Sequence, residues 1–265
     1  MRRRIPRPAT AAGDMPFLDH LEELRWRILY ALIALVIGAI AGFILVTEFD
    51  VLGLLIAPVE PYLGEGQRLA YLSPTDPFFI TLKLALLVGL LLSAPVMIYQ
   101  GWAFLSPALH REERRAIVPS FYLGLVLFTV GAALAYWAAL PVTLRFMMGF
   151  QVESLEQNLT VGPYLSLVVR MLLAFGLVFE LPIVILILSA FGIVDPAMLR
   201  SKRRHAIVLI AVVASVITPG DVVLLTLFLM VPLILLYELS IGLSGLMERR
   251  RVRLRREMLA EAADA

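Results

Sequence analysis

From Ile28 to Thr47 the chain runs for 20 residues without a charged side chain. A helix of that length crosses a hydrocarbon core of roughly 30 Å. Comparable runs recur, and this recurrence limits the fold more than any other feature. A chain that enters lipid repeatedly must satisfy its backbone internally, which leaves helices or a closed barrel. The runs are continuous and lack the period-two alternation of barrel strands, so the reading is all-α and polytopic. Six transmembrane helices are predicted over about 26–46, 78–105, 116–140, 164–189, 206–218 and 222–243. The last two are short. The composition agrees, with 60% hydrophobic residues and mean hydropathy +0.89. The polar interruptions are too short to hold a core of their own. The chain therefore divides into a basic N-terminal tail (1–15), a six-span membrane domain (16–245) and a charged C-terminal tail (246–265).

The net charge of +2 conceals a strong asymmetry. Of the 23 Lys and Arg, all but Arg68, Lys83, Arg145 and Arg170 fall in the N-terminus, the second and fourth loops and the tail. Positive charge collects on the cytoplasmic side, so both termini are predicted there. The opposite face is acidic, with Glu48, Asp50, Glu60, Glu65, Asp76, Glu153 and Glu156. A bacterial or archaeal plasma membrane is the predicted location. The Met1–Pro6 segment, MRRRIP, resembles the head of an export signal. The apolar run behind it is longer than a signal core and no small-x-small cleavage site follows, which favours an uncleaved first span.

Several chemistries are excluded. There is no cysteine, hence no disulfide, thiolate nucleophile or thiolate metal site. There is no GxxxxGK phosphate loop. His20, His110 and His205 lie far apart in sequence, which argues against a metal site. No cofactor, catalytic residue or nucleic-acid partner is predicted. No internal repeat is visible, which weakens a repeat-built transporter. Gly38 and Gly42 form a GxxxG that allows close helix packing but is common in membrane helices. Pro95, Pro119, Pro182 and Pro232 punctuate the spans; kinked helices around a concave face are one consequence, ordinary packing kinks the other.

Three stretches carry charge where it needs explaining. In Phe17–Leu35, Leu18, Leu21, Leu24 and Ile28 recur at helical spacing, with Asp19, Glu22 and Glu23 beside them. This reads as an amphipathic helix on the cytoplasmic surface. Glu23 and Arg27 form an i,i+4 pair worth about 0.3–0.5 kcal/mol, and one pair cannot neutralise three carboxylates. In Ser93–Arg115, Ser106-Pro107 is a helix start and Glu112 and Glu113 fall in a loop with Arg111, Arg114 and Arg115; alone, that is a solvated, salt-bridged turn. Glu180 lies deep in the fourth apolar run. A carboxylate there costs on the order of 2.5–3.5 kcal/mol, so it faces a bundle interior or a wet cavity, as a functional group or a packed acid. Arg170 is too far round the helix to pair with it, and Lys83 can snorkel outward.

Over about residues 16–245 the chain resembles the TatC family, the receptor subunit of the twin-arginine protein translocase. The resemblance rests on FLDHLEELRWRI, SPTDPFFITLKL, SAPVMIYQGWAFLSPALHREERR, AYWAALP, YLSLVVRMLLAFGLVFELP and VITPGD, in that order. It implies a receptor, not an enzyme, that binds signal peptides with consecutive arginines at the cytoplasmic face. Position by position, Glu23 and Glu113 match the acids that line the family's site, with Glu22, Asp19 and Arg25 beside them. Phe104 and Leu109 match further positions assigned to signal-peptide binding, and Pro58, Pro95, Glu180 and Asp221 match positions for contacts within the membrane or with partners. A carboxylate can accept a guanidinium's planar fork, which lysine cannot reproduce. The implied partners are signal peptides of folded precursors, single-span TatA- and TatB-like subunits, membrane lipid and further copies of the chain. Transport in this family is driven by the proton-motive force.

Two departures from the pattern stand before and within the sixth span. Gly220 replaces the second proline of the family's usual T-P-P-D, and Leu224 and Leu225 stand where a polar pair is common. Two other readings fit the residues alone: a proton-coupled small-solute transporter using Glu180, and a membrane scaffold without a ligand.

Overall fold

A computed structural model describes residues 17–64, 66–105, 111–149, 158–218 and 223–264. The first helix, α1 (Phe17–Glu48), is continuous for 32 residues. This corrects the expectation of a separate surface helix before the first span. No proline or glycine stands between the acidic turns and the apolar run, so helical hydrogen bonding continues through both. Asp50 then caps the short α2 (Val51–Ile56), its carboxylate accepting from Gly53 N at 2.9 Å. A 3₁₀ turn follows at Glu60–Tyr62.

α3 (Asp76–Leu105) begins where Asp76 Oδ2 accepts from Leu72 N and Ser73 N at 2.9 and 3.0 Å, folding the Ser73-Pro74-Thr75 turn back onto the helix start. It passes through Pro95. It packs antiparallel to α1 with almost no side chain between the backbones. A Cβ on Gly89 would lie 2.5 Å from Ala39 Cα, and one on Gly38 2.5 Å from Gly89 O. The GxxxG of α1 therefore has a partner of its own kind, with Ala85, Gly89 and Ser93 facing it.

The third apolar run forms α4 (Arg111–Leu134), a π turn at Ala135–Ala139 and α5 (Leu140–Gly149). The fourth is α6 (Val161–Phe179) followed by α7 (Leu181–Ala190), with Glu180 at the joint. Pro182 has no N–H to donate to Val178, which interrupts the hydrogen-bond ladder there. α4 and α6 run antiparallel, with Gly131 against Phe175 O and Phe179, and Gly176 against the Phe128 ring. α8 (Pro196–Ser201) and α9 (Arg203–Ile217) lead to α10 (Val223–Asp264), 42 residues long.

Among the described residues, five helical stretches are long and apolar enough to cross a membrane: His20–Glu48, Asp76–Gly101, Phe121–Gly149, Val161–Ala190 and Thr226–Arg249. α9, with 15 residues, is not among them. The last span is longer than the sequence suggested. Glu238 does not end it, because its carboxylate is half-exposed and accepts from Arg203 Nη2 at 2.7 Å on α9. The core gathers from α3, α5, α6 and α10, around Leu84, Leu140, Val168, Met171, Phe175 and Leu229. The outer face of α1 is apolar and uncovered, from Trp26 and Leu29 to Ile40 and Ile44. Lipid is the solvent that suits such a face.

Candidate functional site

The antiparallel crossing of α1 and α3 brings the first turns of α1 beside the last turns of α3. There Glu23 and Arg27 pair along α1, as the i,i+4 spacing predicted. Two of the three Arg27 donor nitrogens, Nε at 2.9 Å and Nη2, converge on a single oxygen, Glu23 Oε1. Arg27 Nη1 reaches across to Gln100 Oε1 on α3 at 3.4 Å. The other carboxylate oxygen, Glu23 Oε2, is buried and has no hydrogen-bond partner among the described residues. His20 Nδ1 lies 3.7 Å from it, beyond hydrogen-bond reach. The His20 ring is stacked flat on Phe104 of α3, with centroids 4.3 Å apart and planes 12° from parallel.

The arrangement is a carboxylate held at one oxygen and left unsatisfied at the other, beside an aromatic ring. A buried acceptor without a partner costs about 1–3 kcal/mol, more when charged. A planar cationic donor would relieve that cost and could stack on the ring.

The remaining expected positions are dispersed. Glu22 and Arg25 are exposed on other faces of α1. The side chains of Asp19 and Glu113 lie outside the described residues, although Glu113 falls in the first turn of α4. Leu109 and Asp221 lie outside them entirely, as do Gly220 and the side chains of Leu224 and Leu225. Pro95 is half-buried within α3, two residues beyond Ser93 of the close crossing. Pro58 is half-buried in the turn after α2, beyond the far end of α1 from Glu23. Glu180 sits apart, against α4: a Cβ on Gly124 would be 3.0 Å from its Oε2, while its Oε1 is buried without a hydrogen-bond partner among the described residues.

Sequence reasoning treated His20 only as an unlikely metal ligand and did not single out Gln100. The signal for Gln100 was an amide inside an apolar helix; its partner Arg27 is 73 residues away. Among the described residues no group of three His, Cys, Asp or Glu could hold a metal.

Fold and site together define a polytopic helical membrane protein that carries a carboxylate site at one end. The family model of the Sec-independent protein translocase protein (TatC) matches residues 19–232. The TatC protein of Aquifex aeolicus is 38% identical over 242 residues, covering 89% of this chain and 98% of the relative. That of Escherichia coli K12 is 37% identical over 231 residues, covering 86% and 88%. Two crystal structures of the twin-arginine translocase receptor TatC superpose on this one. The first has a TM-score of 0.71 and 38% identity, with 86% of this chain and 98% of the other covered. The second, in DDM, has a TM-score of 0.73 and 37% identity, with 85% and 99% covered. The chain belongs to the TatC family. It is a protein-translocase subunit and not an enzyme, and the small-solute transporter reading finds no support.

Proposed function

We propose that the α1–α3 end of the molecule receives the arginine pair of a twin-arginine signal peptide, with Glu23 as one acceptor and Glu113 as the other. The observation that carries this is Glu23 Oε2, buried without a hydrogen-bond partner among the described residues, 3.7 Å from the His20 ring that stacks on Phe104. Two acids on different helices can address two successive guanidiniums, each charge-assisted hydrogen bond contributing about 1.5–3 kcal/mol, less where exposed. Leu109, Asp19, Glu22 and Arg25 are assigned to the same peptide-binding role by the family positions they match. Lysine and arginine placement supports a cytoplasmic orientation for this end and for both termini. α9 serves as a short sixth span, and the helices surround a concave face.

In this reading Glu180, together with Asp221, Pro58 and Pro95, serves assembly. A buried carboxylate oxygen without a partner suits a hydroxyl, amide or backbone N–H from a single-span TatA- or TatB-like helix. The deciding experiment titrates the full-length protein with a twin-arginine peptide and its twin-lysine counterpart. Binding of the arginine peptide that weakens with salt, and at least about tenfold weaker binding of the lysine peptide, supports the reading. Equal affinity for the two defeats it.

A further inference from the structure

The His20–Phe104 pair is unexplained by a site that merely waits for arginine. The His20 ring is planar, bears nitrogen, lies flat on Phe104 at 4.3 Å and turns Nδ1 toward Glu23 Oε2 at 3.7 Å. A guanidinium bound to Glu23 and stacked on an aromatic ring would need the same plane and the same approach. Glu23 Oε1 is already held by Arg27, so Oε2 is the oxygen left to offer. That oxygen is buried, and His20 stands beside it. Seat and occupant are therefore both built from this chain.

We propose that His20 is a self-held plug, and that one signal-peptide guanidinium binds by displacing it and taking its seat between Phe104 and Glu23 Oε2. This deepens the proposed reading of Glu23 and rests on it. Displacement needs little of the fold. The His20 side chain is 36% exposed and lies in the first turns of α1, so a rotamer change clears the ring. Arg27 and Gln100 keep the carboxylate in place meanwhile. Phe104 then serves as a platform that the plug and the ligand use in turn. The site stays closed to weak cations and opens for a planar one able to replace both contacts of the imidazole, the stack and the approach to Oε2.

The test measures peptide affinity for full-length protein in lipid nanodiscs, with thermal stability recorded for each variant. If the seat is free about a third of the time in the wild type, removing the plug tightens binding about threefold. His20→Ala is expected to tighten the twin-arginine peptide by about that factor or more, and His20→Gln, which cannot stack as a ring, to change it in the same direction. The gain should disappear in the His20→Ala/Phe104→Leu double variant and be absent for the twin-lysine peptide. Unchanged or weaker arginine-peptide binding by both His20 variants at wild-type stability would overturn the plug. So would an equal gain for the lysine peptide. Glu23→Gln separates the layers. If it weakens binding while the His20 variants do nothing, the plug alone fails; if it leaves binding intact, the reading of Glu23 fails and takes the plug with it.

Discussion

Tyr164 donates to Leu55 O at 2.7 Å and Tyr136 to Leu54 O at 2.5 Å, so two hydroxyls from the bundle satisfy the last carbonyls of α2. Tyr164 is buried, and Tyr164→Phe leaves the Leu55 carbonyl without that donor. The expected loss is about 1–3 kcal/mol, read as a lower melting temperature in detergent with peptide binding unchanged. Glu180 poses the opposite case, its buried Oε1 having no donor among the described residues. Gly124→Ala places a methyl 3.0 Å from its Oε2, so the carboxylate must shift by a few tenths of an ångström. If Glu180 serves assembly, that shift should reduce crosslinking between a cysteine beside Glu180 and a single-span partner while the isolated chain keeps its melting temperature. Equal crosslinking would argue for a packed acid. At this scale the sequence revealed Glu23 and Glu180 as charges out of place. It did not reveal His20 or Gln100, whose meaning lies in Phe104 and Arg27 on another helix.

The α1–α3 pair holds the proposed site together, because His20, Glu23 and Arg27 come from one helix and Gln100 and Phe104 from the other. Its closeness rests on glycine. A Cβ on Gly89 meets backbone at 2.5 Å, which cannot yield as a flexible side chain does. Gly89→Val should therefore cost about 1–3 kcal/mol and weaken twin-arginine peptide binding together, as the helices part. Gly101→Ala, on the same helix, where an added Cβ meets nothing within 4 Å among the described residues beyond its own helix, should change neither. Matched losses for the two variants would show that the crossing does not hold the site. The Gly38–Gly42 spacing was visible beforehand, but many membrane helices carry it. What sets it apart is register against Ala85, Gly89 and Ser93, a property of two segments about fifty residues apart in sequence. Element ends were harder to read. Acidic residues suggested a break before the first span, and the last span was expected to be short, yet both helices run on, since a charge at a membrane boundary can reach water or a partner without interrupting the backbone.

Across the whole molecule, span length is uneven. The Thr226–Arg249 stretch has 24 residues, whereas α9 has 15 and reaches about 22 Å, well short of a hydrocarbon core of roughly 30 Å. The recurrence of apolar runs was plain in the sequence, and so was the brevity of this one. Its neighbours were not. Ala214 and Ile217 of α9 line an apolar crevice with Phe175 and Val178 of α6 and Leu229 and Leu233 of α10. These contacts tie α9 into the bundle and argue against a hairpin that merely rests in the interface. Thr218, at its end, is buried and bonds back to Ala214 O at 2.7 Å, so its hydroxyl asks nothing of the lipid. A helix that short, fixed in a bundle of full-length spans, leaves the bilayer to thin beside it or water to enter from outside. Thinning would lower the barrier to moving a folded cargo, and on the proposed reading that would be the short helix's role in translocation. A cysteine at Gly220, challenged from the outer side with a membrane-impermeant thiol reagent, should label about as fast as one at Glu65. Complete protection of the Gly220 cysteine, with the Glu65 cysteine labelled, would place the end of α9 within the hydrocarbon and sink the thinned-membrane account.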